Sequence, residues 1–143
     1  MRDGGATAKY VFGEVAATAK ALAASGRPEL QAIARRLGDG LKAWIEATEW
    51  LSADAKNGLA GALTGAVPYL HLAVNVCGGW LMGRAALAAA SYLDTGAGDQ
   101  TFYRAKIATA HFYADQMLPL ATSYGITVQA GGASLAALTD DML

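Results

Sequence analysis

The chain has 143 residues, a length that fits one domain able to bury a core without disulfides or metals. It is 54% hydrophobic and only 16% charged, with a formal net charge of −1, whereas about 25% charged is typical of soluble domains. Acids and bases are interspersed, which leaves no basic stripe for nucleic acid. The single cysteine, Cys77, leaves no disulfide framework and suits a reducing cytoplasm.

Met1-Arg2-Asp3-Gly4-Gly5 lacks the apolar core and cleavage site of a signal peptide. A first helix is expected from near Ala6 to Ser25-Gly26. Val11, Val15, Ala19 and Leu22 trace its core stripe at spacings of four and three, and Gly26 supplies a C-terminal stop. A second helix opens with Pro28, where a missing N–H costs nothing, and runs to Trp50 or Leu51. Leu30, Ile33 or Ala34, Leu37, Leu41, Trp44 or Ile45, and Thr48 form its apolar stripe. Arg35, Arg36, Asp39, Lys42, Glu46 and Glu49 form the wet side. Gly38 and Gly40 mark a bend or a close crossing.

The third helix takes Ser52 or Asp54 as N-cap and continues to Tyr92 or Leu93. From Asn57 to Gly83 it carries no Asp, Glu, Lys or Arg, a run long enough to span a bilayer, which needs about 20 apolar residues. Gly58, Gly61, Gly65, Pro68, His71 and Asn75 dilute it, so a buried central helix is expected, with Trp80 and Leu81 in the core. Pro68 removes a backbone donor, predicting a kink near Gly65-Ala66-Val67 or a short break. Glycines at spacing four, Gly61/Gly65 and Gly79/Gly83, allow close helix approach. Asp94-Thr95-Gly96-Ala97-Gly98 is a loop, and Asp99 caps the fourth helix. That helix runs from Phe102 to Leu118, kinks or ends at Pro119 and resumes towards Gly125. The tail from Gly131 to Leu143 reads as loose, with one apolar turn at Leu135-Ala136-Ala137-Leu138. The expected fold is all-α: an antiparallel bundle of four main helices, the third kinked near Pro68.

The chemistry-bearing residues read mainly as packing. His71 and His111 fall on the third and fourth helices, and the Glu-x-x-His spacing of di-iron bundles is absent. Hydrogen-bonded, partly buried histidines are therefore expected, and no metal ligand is assigned. Arg84, the only charge between Lys56 and Asp94, needs a partner, such as an ion pair or a helix end. Lys106 lays its stem on the core and its ammonium in water. Cys77 reads as a small buried hydrophobe, and Trp44, Trp50 and Trp80 as core or interface anchors. Gly4-Gly5, Gly78-Gly79 and Gly131-Gly132 follow no strand, and no nucleophile elbow is present. No catalytic and no cofactor-binding residue is assigned.

Three pieces in order carry a resemblance: Val67-Pro68-Tyr69-Leu70, then Gly78-Gly79-Trp80-Leu81-Met82-Gly83-Arg84-Ala85-Ala86-Leu87, then Phe102 through Pro119. In the last, aromatics return at Phe102, Tyr103, Phe112 and Tyr113 between Ala105, Ala108, Thr109 and Ala110. The pattern resembles the C-terminal helical domain of the larger bacterial acyl-CoA dehydrogenases. That resemblance implies a fragment of a longer protein in which a glutamate takes the α proton of an acyl-CoA and FAD takes the β hydride. Electrons then pass to an electron-transferring flavoprotein. The family's base-bearing and flavin-contacting segments have no counterpart in these residues. The resemblance thus implies a structural role: packing on the catalytic domains of the same polypeptide and assisting homo-oligomerisation, in the cytoplasm. A free-standing helical interaction module, or a membrane-associated bundle using residues 59–83, are the other readings.

Overall fold

The computed structural model describes residues 5–54 and 60–132, which form helices and turns with no strand. The elements are α1 (Ala6–Ala23), α2 (Pro28–Asp54), α3 (Ala60–Thr95), α4 (Gln100–Gln116) and α5 (Leu120–Ala130). They make an all-α bundle of four main helices, the fourth continued past Pro119 by the short α5. Paired residues give the directions. Thr48 meets Tyr69, and Gly40 meets Val76, so α2 and α3 are antiparallel. Tyr113 reaches Asn75 while Tyr103 stacks on Tyr92, so α3 and α4 are antiparallel too. Helix α3 packs against each of the other four.

Local signals explain the boundaries. Gly26 adopts φ 70° after α1, a conformation open to glycine without strain. The Asp99 carboxylate accepts hydrogen bonds from the Thr101 and Phe102 amides at 2.9 and 3.1 Å, as the sequence predicts for the α4 cap. Val15 and Leu22 of α1 are fully buried, while Val11 and Ala19 lie at the core's edge. On α2, Leu30, Ile33, Ala34, Leu37, Leu41, Trp44 and Thr48 are buried.

Four expectations change. Helix α2 continues to Asp54, so neither Ser52 nor Asp54 caps α3; the Ser52 hydroxyl instead donates to the Thr48 carbonyl at 2.7 Å. Pro68 lies inside α3 and the helix runs on across it, so of the two expectations there, a kink or a short break, the break is the one overturned. Gly65 against Leu51 and Val128, and fully buried Leu72, hold both sides of the proline to the bundle. Leu81 is 57% exposed and Trp80 only half-buried. The cause is position: α3 buries one face while the Leu81 side points outward. Finally, Arg84 finds no carboxylate among the described residues and lies over the Trp80 ring, 5.5 Å from its centroid.

The small residues do let helices approach. A Cβ on Gly79 would stand 2.6 Å from Leu118 Cδ2, and one on Gly83 2.9 Å from Leu22 Cδ1. Gly40, on α2, nests against Val76, Leu118 and Ala121, which is the close crossing rather than the bend. The Leu135–Leu138 turn and the rest of the tail after residue 132 lie outside the described residues.

Candidate functional site

The feature with the clearest functional content is a surface. Along α3, positions 63, 67, 70, 74, 77 and 81 alternate by four and three, a spacing that keeps side chains in one seam. They are Leu63, Val67, Leu70, Val74, Cys77 and Leu81. Leu63, Val67, Leu70, Val74 and Leu81 are 57–70% exposed, and Cys77 is half-buried. No Asp, Glu, Lys or Arg occurs in α3 before Arg84, nor anywhere in α5. Helix α5 lies alongside, with Leu120 and Ile126 also exposed. By length and composition α3 could cross a membrane, yet part of it is buried in the bundle. A contiguous apolar patch of this kind marks an interaction site.

Beside this ridge, between α3 and the α4–α5 joint, lies an open cleft of about 320 Å³ lined by Leu70, His71, Val74, Asn75, Tyr113, Met117 and Tyr124. His71 is exposed and meets Tyr124 edge-on at 5.5 Å. Asn75 is buried; its amide nitrogen donates to the Met117 carbonyl at 2.8 Å, and its Oδ1 has no protein partner. The Tyr113 hydroxyl donates to the Asn75 carbonyl at 3.0 Å. Burial pushes the Tyr113 phenol above its ordinary pKa, and the nearby Cys77 thiolate adds to this. Burial likewise raises the Cys77 thiol, which makes it a poor nucleophile at neutral pH.

A second cleft, about 370 Å³, is lined by Arg27, Glu29, Leu93, Arg104, Ile107, Ala108 and His111. Arg27 is already held by Asp94, and His111 Nε2 lies 3.4 Å from Asp115 Oδ2. Lys106 is exposed, its ammonium 5.1 Å from the Phe102 ring centroid. Trp80 Nε1 donates to the Thr18 hydroxyl at 2.9 Å, tying α3 to α1. Trp44 packs edge-on against Phe12 at 5.0 Å, and Trp50 packs against the core beside Gly131.

The first cleft is lined by no Asp, Glu, Lys or Arg, and in the second Arg27 is engaged by Asp94 while Arg104 and Glu29 bring opposite charges. Among the described residues no three His, Cys, Asp or Glu side chains cluster as metal ligands. Residue types and spacing flagged the histidines, Arg84 and the tryptophans. They did not flag the exposed ridge, because burial of an apolar seam and its exposure give the same sequence pattern.

Comparison with known proteins adds a family signal. The profile described as acetyl-CoA dehydrogenase C-terminal like matches residues 11–139. A 3-methylmercaptopropionyl-CoA dehydrogenase from Ruegeria pomeroyi is 40% identical over 118 residues, covering 82% of this chain and 20% of that protein. A broad-specificity linear acyl-CoA dehydrogenase from Mycobacterium tuberculosis is 33% identical over 129 residues, 86% of this chain and 21% of that protein. The chain thus spans about a fifth of the length of these curated relatives.

Proposed function

The chain belongs to the acetyl-CoA dehydrogenase C-terminal-like family, and on that premise we propose that it is the non-catalytic C-terminal helical domain of an FAD-dependent acyl-CoA dehydrogenase. In this reading the whole protein, in the cytoplasm, removes two hydrogens from the α and β carbons of an acyl-CoA thioester. FAD is held by other segments of the same polypeptide. This domain packs on the catalytic body and assists homo-oligomerisation.

The observation that carries the reading is the match to two acyl-CoA dehydrogenases over most of this chain and only a fifth of theirs. The local chemistry is consistent with it. Proton abstraction needs a carboxylate within hydrogen-bond reach of the substrate carbon. The described acids lie mainly on wet faces: Glu29, Asp39, Glu46, Glu49 and Asp115 are exposed. Visible absorbance of the purified protein, with reduction of an artificial electron acceptor across a panel of acyl-CoAs, tests it. The isolated chain is expected to be colourless and inactive, and the chain joined to its catalytic segments yellow and active. Stoichiometric FAD on the isolated chain would overturn the non-catalytic reading.

The exposed ridge of α3 also suits a free-standing interaction module. A native gene that starts and stops with these 143 residues would favour that alternative.

A further inference from the structure

We infer that the α3 ridge is where two copies of this chain meet, α3 packed antiparallel on α3 about a two-fold axis. The inference deepens the self-association part of the proposed function and rests on that reading.

Three observations select a second copy as the occupant. The first is register. Leu63, Val67, Leu70, Val74, Cys77 and Leu81 alternate by four and three, a stripe that a second helix can cover over several turns. A two-fold contact presents the same patch from both sides, so a single self-complementary seam suffices. The second is charge. Contacts between domains of one chain are on average more polar than obligate interfaces, and homodimer interfaces are the more apolar class. A face with no Asp, Glu, Lys or Arg along residues 60–83 and 120–130 fits the homodimer class. Helices that lie on bilayers carry Lys and Arg on their polar flanks, and this stretch carries none. The third is size. Leu63 to Leu81 extends about 27 Å along the helix, and α5 widens the face to about 20 Å. That footprint, roughly 540 Å² on each copy, lies below the ~800 Å² per partner of a standard interface and just clears the ~1,000 Å² total that marks a biological one.

Sedimentation of the 143-residue chain tests this, with Val67→Lys and Val74→Lys as variants. Both positions are exposed, so the helical circular dichroism should stay unchanged. The wild type is expected to sediment at twice its 14.7 kDa mass. Each lysine, buried in an apolar seam that offers it no acidic partner, should weaken association by about a hundredfold. As a second measurement, Leu70→Cys chains mixed with Val74→Cys chains, both carrying Cys77→Ser and flanking the middle of the seam, should join by an intermolecular disulfide on mild oxidation, while Lys9→Cys on α1 should not. A monomer at about 100 μM, or a dimer indifferent to both lysines and without the cross-link between positions 70 and 74, would overturn the inference. So would a monomer that floats with phosphatidylcholine vesicles, which would assign the ridge to lipid. A monomer that docks on the flavin-binding segments of a dehydrogenase would overturn the dimer and keep the proposed function. A dimer from a gene without such segments would do the reverse.

Discussion

Helices α2 and α3 are both long, and they solve the problem of covering apolar surface in opposite ways. On α2, Leu30, Ile33, Leu37, Leu41 and Trp44 are buried while Glu29, Arg35, Arg36, Asp39, Lys42, Glu46 and Glu49 all face water. Helix α3 buries Leu72, Val76, Ala86, Ala89 and Ala90, yet exposes leucine and valine on the opposite side. One helix is finished within the bundle, and the other carries a second apolar seam that the bundle does not use. A helix apolar on all sides belongs in a core or under a covering, so α2 reports on folding and α3 on association.

Substitutions should separate those two roles. Leu37→Ala empties a fully buried site on α2 and should cost about 2–5 kcal/mol in urea unfolding. Gly79→Leu should cost at least about 1–3 kcal/mol by overpacking, because Leu118 already fills the space its Cβ would take. An unchanged melting curve would show that α3 and Leu118 are not in close contact. Asp99→Ala leaves the Thr101 and Phe102 amides without their cap and should cost about 1 kcal/mol, read by thermal melting.

Alkaline pH should give a smaller effect. Burial raises the Tyr113 phenol, so the folded chain holds that proton more tightly than the unfolded one. This contribution to stability is complete below the unfolded value of about 10 and is lost as pH rises through the folded value. Tyr113→Phe should therefore flatten the fall of Tm above about pH 10, whatever it costs at neutral pH by removing the bond to the Asn75 carbonyl. The smallest effect is expected at the ridge. Val74→Ser, measured where the chain is dilute, should change folding stability by no more than about 0.5 kcal/mol. A loss like that of Leu37→Ala would mean Val74 is part of the core and would erase the contrast between α2 and α3.

Most of the fold was legible because its signals are local. Gly26, Pro28 and Asp99 mark their helix ends through backbone geometry that needs no tertiary partner, and α2's two-sided pattern names its own core. Helix α3 was less legible for the same reason. Its sequence is apolar on nearly every side, so periodicity could not say which face turned inward, and Leu81 was assigned to the wrong one. Ser52 was misread as a cap because a serine can donate to the carbonyl four residues back as readily as it can cap a following helix. Pro68 removes one rung, but packing on both sides of it outweighs that loss. For Arg84 the sequence predicts an ion pair or a helix-end contact, and the Trp80 ring four residues before it on the same helix takes that place. The ridge is a property of what the other helices leave uncovered, which only their assembly reveals.

Hydroxyl-radical labelling of the chain at high and low concentration tests the central claim most directly. At high concentration Leu63, Leu70 and Leu81 should be protected, while Tyr10, 70% exposed on α1, stays reactive; on dilution the three leucines should become reactive. Leucines that react equally at both concentrations would contradict the account, because the α3 seam would then be a surface that nothing in solution covers.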